Sequence, residues 1–238
     1  MASEPLVAVR QVVKDYHALR PLRLDNLEVA AGEIISIVGL DAPGAETLVG
    51  LLTGAIVPDT GDVRLFGRST TDVADSDAWL AMLDGVGILT DRAVLIGQFT
   101  VEQNIAMPYT LAVDPIAADL RPQVVALARE IGFEDRDLNV PVATSSPAVQ
   151  ARVRLARALA LSPTLLLAEH PSASLPRDQV QTFAASLGRI ARARGLAVLA
   201  ITSDEAFAGA LGGRVLRHEA ATGALRARRT WSKLFNRS

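Results

Sequence analysis

The chain contains 238 residues, half of them hydrophobic, which suits one large domain or two small ones with a sizeable core. Its formal net charge of -2 gives no overall preference for nucleic acid, and the absence of cysteine excludes disulfides and cysteine-ligated metals. The N-terminal residues lack the pattern of a secretory signal, and no apolar run reaches the roughly 18 residues of a membrane span. Composition therefore favours a cytoplasmic protein.

Short β-rich segments alternate with helical patterns along the chain. The predicted strands cover residues 6–13, 22–29, 33–38, 62–66, 86–89, 164–168 and 197–201, and the predicted helices cover 46–53, 119–131, 147–161 and 179–194. This alternation predicts an α/β fold with a mainly parallel sheet, to which the first two strands add an antiparallel layer. A mainly helical insertion begins near residue 90 and predicts a second lobe that extends to about residue 160.

The C-terminal segment differs in composition from the rest. We expect one domain over residues 1–218 and a tail over 219–238, because from Ala220 onward the chain carries basic residues and no acid. Trp231, Leu234 and Phe235 lie among these basic residues. The tail is interpreted either as a solvated end or as a basic amphipathic segment that touches anionic lipid or a partner.

A glycine-rich loop follows the strand that ends at Val38. A phosphate-binding loop reads G-x-x-x-x-G-K-[ST] between a strand and a helix, and Gly39 and Gly44 have the required spacing. Ala45 stands at the lysine position and Glu46 at the position of the Mg²⁺-binding hydroxyl, with Thr47 behind it. The missing lysine removes a charge-assisted hydrogen bond of about 1.5–3 kcal/mol.

Two interpretations of this loop remain open. It is either an ordinary glycine turn or a former phosphate loop in which the Glu46 carboxylate occupies the anion position at the helix N-terminus.

Five further segments extend the comparison along the chain. They are Tyr16, residues 58–63 (PDTGDV), 99–105 (FTVEQNI), 152–160 (RVRLARALA) and 165–176 (LLLAEHPSASLP). In this order and spacing, the chain from about Leu6 to Leu216 resembles the ATPase domains of ABC transporters. The resemblance implies a P-loop NTPase fold, an adenine-stacking role for Tyr16, and a Walker B strand followed by a D-loop in the last segment.

The positions at which the resemblance implies catalysis carry other residues. The Walker B aspartate becomes Glu169, the catalytic glutamate His170, the Q-loop glutamine Asp91, the switch histidine Ser203 and the D-loop aspartate Pro176, while the signature motif falls on residues 145–149 and keeps Ser146. Phosphoryl transfer depends on positioning and on stabilising negative charge, so these losses reinforce one another. Alternatives are His170 as a general base and a metal site built from Asp41, Glu46, Asp91 and Glu169.

The resemblance therefore implies a transporter subunit that has lost most residues for ATP binding and hydrolysis. We expect it to lie at the inner face of the membrane, to dock onto a separate permease, and to pair with an active ATPase or with itself, without nucleic acid. The retained region from Thr100 to Asn104 fits such docking, although Phe99, Val101 and Ile105 also fit a plain core. Alternatives are a divergent ATPase that binds ATP and Mg²⁺ weakly, and a soluble interaction module without a transport role.

Overall fold

The computed structural model describes residues 4–73 and 75–227. In chain order the strands are β1 (Val7–Lys14), β2 (Leu22–Val29), β3 (Ile34–Val38), β4 (Thr60–Leu65), β5 (Arg68–Ser69), β6 (Val86–Thr90), β7 (Leu165–Glu169), β8 (Ala197–Ile201), β9 (Arg214–Glu219) and β10 (Ala224–Ala227). The helices are α1 (Ala42–Leu52), α2 (Ser76–Leu83), α3 (Val101–Ala106), α4 (Arg121–Ile131), α5 (Asp135–Leu138), α6 (Pro147–Leu159), α7 (Arg177–Arg194) and α8 (Glu205–Leu211), and a 3-10 helix spans Val142–Thr144.

Two sheets form the framework. The six-stranded sheet has the order β10-β9-β3-β8-β7-β6, in which only β10 is antiparallel to its neighbour, and the four-stranded sheet has the antiparallel order β2-β1-β4-β5. β3, β7 and β8 are buried along their whole length, as expected for apolar strands covered on both faces. The predicted α/β fold with an added antiparallel layer is confirmed.

The parallel sheet separates two hydrophobic cores. Alternate residues of β7 point to opposite faces, so Leu166 and Ala168 pack with the helical side, whereas Leu165 and Leu167 pack with α1 and the antiparallel sheet. The helices α3 to α6 lie between β6 and β7 and form the predicted helical lobe. Val101 and Ile105 are fully buried in it, which agrees with the core interpretation of these two residues.

The C-terminal boundary differs from the prediction. Residues 219–227 do not begin a tail, since β10 pairs with β9 from Ala224↔Glu219 to Ala227↔Leu216 and continues the sheet. The backbone hydrogen bonds of this hairpin extend the fold beyond residue 218. The remaining predicted tail, residues 228–238, lies outside the described residues.

No helix within the described ranges combines the length and apolar composition that crossing a bilayer requires.

Candidate functional site

The glycine-rich loop lies at the carboxyl end of β3, where open parallel sheets bind ligands. Gly39 has φ of 100°, and a Cβ there would lie 3.1 Å from the carbonyl oxygen of His218. Both the left-handed backbone and the neighbouring strand β9 therefore favour glycine. The strand, the turn and the following helix keep the layout that the motif predicts.

The loop is closed by its own aspartate. Asp41 is the N-cap of α1, and its Oδ1 accepts a hydrogen bond from the Gly44 N–H at 2.8 Å, while its carbonyl accepts one from the Ala45 N–H at 2.9 Å. Because of this cap, α1 begins at Ala42, before the predicted start at Glu46. Of the two interpretations of the loop, the one in which Glu46 fills the anion position has no contact that supports it, since the carboxylate that accepts from the Gly44 N–H belongs to Asp41.

The other positions of the motif are also committed to the helix. Ala45, at the lysine position, is completely buried. The Thr47 hydroxyl donates to the Pro43 carbonyl oxygen at 2.8 Å, a bond to the preceding helical turn. The hydroxyl that survives in the sequence is thus used inside α1.

Arg92 lies between the two acids that replace metal-binding positions. Its Nη1 is 2.6 Å from Glu46 Oε1, and its Nη2 is 2.9 and 2.7 Å from Glu169 Oε1 and Oε2. The Glu169 side chain is 6% exposed, whereas those of Arg92 and Glu46 are 52% and 58% exposed. Hydrogen bonds from the guanidinium to Glu46, then to Glu169, raise the pKa of Arg92 above its ordinary value. A permanent cation therefore joins the ends of β6, β7 and α1.

Sequence reasoning missed Arg92, although a signal was present. Thr90 pairs with Glu169 in the β6–β7 register, so a residue just beyond the end of β6 can reach the Glu169 carboxylate. A lone arginine after this strand, facing an acid at a Walker B position, is the pattern that predicts such a pair.

Tyr16 approaches the same loop from the antiparallel layer. Its hydroxyl is 3.5 Å from Asp41 Oδ1, and burial, followed by the charge of Asp41, raises the pKa of Tyr16. The ring also packs against the core beneath α1. Adenine stacking by Tyr16 stays a prediction, and its hydroxyl is directed at the capped end of α1.

His170 and Ser203 line a neighbouring cavity of about 770 Å³ at the ends of β7 and β8. His170 has φ of 42°, an unusual backbone for a non-glycine residue, and its Nε2 is buried without a hydrogen-bond partner among the described residues. Ser172 donates to Asp204 Oδ2 at 3.2 Å in the same cavity. The cavity thus brings together the positions that the resemblance gives to the catalytic glutamate and the switch histidine. A role of His170 as a general base stays a prediction.

Asp91 and Ser146 lie outside these clusters. Burial lowers the pKa of Arg154 on α6, and the charge of Asp91 opposes this effect. Ser146 is the N-cap of α6, and its hydroxyl accepts a hydrogen bond from the Val149 N–H at 3.4 Å. The signature serine thus stabilises its own helix.

These side chains do not fit a magnesium-bound triphosphate. Such a ligand needs free backbone N–H groups, a lysine and a hydroxyl for the metal. Here Asp41 takes the N–H of Gly44, Ala45 has no charge, and Thr47 donates to Pro43. The hypothetical four-acid metal site is also not formed, because Arg92 separates Glu46 from Glu169 and residues 4–73 and 75–227 contain no cluster of three potential ligands.

An apolar groove of about 550 Å³ is lined by residues of α2, β6 and the helical lobe. Its core side includes Leu80 of α2 and Ile88 of β6, and its lobe side includes Met107, Leu111 and Leu161. Leu80, Ile88, Leu111 and Leu161 are exposed, so the groove presents large apolar side chains to its surroundings. Such clustering is typical of an interaction surface.

Comparison with protein-family models matches residues 22–173 to the ABC transporter family. The chain belongs to this family. It is 32% identical over 202 residues to the methionine import ATP-binding protein MetN of Brucella abortus (strain 2308), covering 85% of this chain and 54% of MetN. It is also 32% identical over 183 residues to the lipoprotein-releasing system ATP-binding protein LolD of Psychrobacter arcticus, covering 77% of this chain and 80% of LolD. The chain thus spans about half the length of the MetN relatives.

Solved ABC structures share the fold. A dimeric post-hydrolysis structure of the ATP-binding cassette MJ0796, bound to ADP and Pi, has a TM-score of 0.74 at 23% identity and covers 94% of this chain and 100% of its own. The cbiO1 protein of Clostridium perfringens, part of the ABC transporter complex cbiONQ, has a TM-score of 0.77 at 18% identity and covers 94% of this ABC chain and 88% of its own. At these identities the likeness concerns the fold.

Proposed function

We propose that the chain is an ABC-transporter subunit that does not hydrolyse ATP and acts as a structural or regulatory component beside a permease. The observation that carries this proposal is the ion pairing of Arg92 with Glu46 and Glu169, at 2.6 and 2.7 Å. A guanidinium bound to both carboxylates takes the acids that a Mg²⁺ ion would need. The Asp41 cap supports the same conclusion, because it places negative charge where a triphosphate would approach.

The proposed docking surface is the apolar groove that contains Leu80, Met107 and Leu111, and the proposed occupant is an apolar segment of a separate permease. Two observations support this choice. The groove exposes leucines beside a well-packed core, and the relative cbiO1 is described as part of a transporter complex. The chain would then sit at the cytoplasmic face of the membrane, with the permease supplying the spanning helices.

The proposed ATPase partner is a second ABC subunit. The relative MJ0796 forms dimers, and the N-terminus of α6 with Ser146 is the element that the resemblance places against a partner's nucleotide. Only the partner's phosphate loop would then hold ATP, since this chain's own loop is capped by Asp41.

A subunit that still binds ATP is the second candidate. It is favoured by the relatives MetN and LolD, which are both named ATP-binding proteins. Weak binding through the adenine alone, without the phosphate loop, would separate this candidate from the first.

The test is titration of the purified chain with a fluorescent ATP analogue, with and without Mg²⁺. We expect no saturable binding by the natural chain. The variant Ala45→Lys with Glu46→Ser restores the motif residues and frees Arg92 from Glu46, and addition of Asp41→Ser and Arg92→Gln removes both obstacles. Binding should appear in this series and be strongest in the quadruple variant.

The matched control is Gln181→Lys with Glu28→Ser, an equal change of net charge at two exposed positions. It should not bind the analogue. Tight, Mg²⁺-dependent binding by the natural chain would overturn the proposal and favour the second candidate.

A further inference from the structure

We infer that Arg92 is a positioning residue for the apolar groove: it fixes the loop of residues 91–97 between the core and the helical lobe, so that the groove keeps one shape without nucleotide. The identification of the groove as a permease-docking surface rests on the proposed function. The mechanical role of Arg92 rests on the contacts alone.

On the core side the loop is held by charge. The Arg92 side chain binds Glu46 on α1 and Glu169 at the end of β7. Glu169 is buried, so water screens this pair less than the exposed pairs of the surface. The first residues of the loop are therefore tied to two separate core elements.

On the lobe side the loop is held by its carbonyl groups. Arg154 Nε donates to the Ala93 oxygen at 3.0 Å, and Arg157 Nη1 donates to the Val94 oxygen at 2.8 Å, both from α6. Further along, the Ile96 N–H and carbonyl both bind the Asn104 side chain of α3 at 3.0 Å. Consecutive residues of the loop thus bind the core and the lobe in turn.

The same loop contributes to the groove. Ala93 lines it together with Arg154 and Arg157, and the same groove is lined by Leu80 and Leu111. Val94, the next residue of the loop, is 78% exposed. Movement of Arg92 would therefore move a wall of the groove.

A side chain of the chain itself holds the loop at all times, unlike a diffusible ligand. A ligand that binds and leaves shifts a conformational equilibrium with its concentration, whereas a covalently attached guanidinium is always present. We therefore expect the groove to be preformed in the purified chain and insensitive to ATP.

The absence of cysteine allows a direct test. Leu80→Cys and Val94→Cys place spin labels on two exposed positions, one on α2 in the lining of the groove and one on the loop of residues 91–97. Pulsed electron–electron distance measurement on the otherwise natural chain should give a single narrow distribution that Mg²⁺-ATP does not change. Arg92→Gln should abolish this single population, and Glu46→Gln, which removes only the exposed partner, should broaden it less.

Arg129→Gln is the matched control, because Arg129 forms an exposed pair with Asp135 in the helical lobe and is not one of the residues that hold the loop. It should leave the distribution unchanged. An unchanged distribution in Arg92→Gln would overturn the positioning role, as would a broad distribution in the natural chain.

The distance distribution measured without nucleotide tests the positioning role, whereas the ATP titration tests the proposed function, so the two proposals can fail separately. If the natural chain binds ATP but Arg92→Gln still loses the narrow population, the non-hydrolysing function fails and the positioning role stands. If the natural chain does not bind ATP and Arg92→Gln leaves the distance distribution unchanged, only the positioning role fails.

Discussion

The guanidinium of Arg92 is within 2.9 Å of both carboxylate oxygens of Glu169. Glu169 is buried and Arg92 is about half exposed. The guanidinium of Arg92 therefore compensates the negative charge of Glu169, which has little access to water. Removing one partner of such a pair leaves the other unpaired, while replacing both with apolar groups can be nearly neutral.

We therefore predict that Arg92→Ala lowers the free energy of unfolding by about 2 kcal/mol, less than a fully buried pair because of the exposure of Arg92. Arg92→Met with Glu169→Leu should lose clearly less than the single variant. Urea unfolding followed by circular dichroism measures both. Equal losses in the single and double variants would show that the pair matters through packing rather than charge.

The Asp41 cap and Gly44 form a coupled pair. Asp41→Ala should cost about 1 kcal/mol, the usual loss of an N-cap side chain. A Cβ on Gly44 would lie 2.7 Å from Asp41 Oδ1, so Gly44→Ala should destabilise the natural chain. In the Asp41→Ala background the same change should be neutral or stabilising, because alanine favours a helix by up to about 1 kcal/mol over glycine. A double-mutant cycle by urea unfolding decides whether this change of sign occurs.

Much of the fold could be predicted from the sequence because its strands are short apolar runs with one periodicity. β2 and β8 have their predicted bounds, β3 and β6 differ by one residue at one end, and β7 is shifted by one residue along the chain. The start of α1 and the hairpin of β9 and β10 were missed, since a capping carboxylate and the pairing of β9 with β3 depend on tertiary neighbours. The positions of the motifs could be assigned from the sequence. The contact of Arg92 with Glu46 could not, because it joins residues that are distant in sequence.

Asn104 is a structural residue within the segment from Thr100 to Asn104. It is fully buried, accepts from the Ile96 N–H, and donates to the carbonyl oxygens of Ile96, Phe99 and Thr100. Asn104→Ala leaves these backbone groups without that partner and should cost about 2–3 kcal/mol. Gln103→Ala removes the reciprocal bond of the capping box to Thr100 and should cost about 1 kcal/mol. Thermal unfolding of both variants shows which one loses more stability. A loss in Asn104→Ala no larger than that in Gln103→Ala would contradict the prediction.

Glu130 and Arg194 join α4 to α7 through two contacts of 2.7 and 2.6 Å. The hydrogen bond from Arg194 lowers the pKa of Glu130. A carboxylate with a lowered folded-state pKa adds stability above its unfolded pKa and loses that stability as pH falls through the folded value. Because both side chains are partly exposed, Glu130→Gln should cost only about 0.5–1 kcal/mol near neutral pH.

The difference between the natural chain and Glu130→Gln should shrink as pH falls below about 4, where the carboxylate becomes protonated. Urea unfolding at several pH values measures it. A difference that stays constant with pH would assign the effect to shape rather than charge.

The resemblance places His170 at the position of the catalytic glutamate, yet restoring a glutamate there alone should not restore hydrolysis. A general base acts only on a water held against a bound phosphate. In this chain Asp41 caps the loop, Ala45 replaces the lysine, and Arg92 holds Glu46 and Glu169. We therefore predict no phosphate release from ATP by His170→Glu above that of the natural chain in a colorimetric phosphate assay.

The comparison variant adds His170→Glu to the quadruple change of Asp41, Ala45, Glu46 and Arg92. Hydrolysis by this variant alone would assign the loss of activity to the phosphate loop. Hydrolysis by His170→Glu alone would instead mean that the loop holds a triphosphate despite its cap.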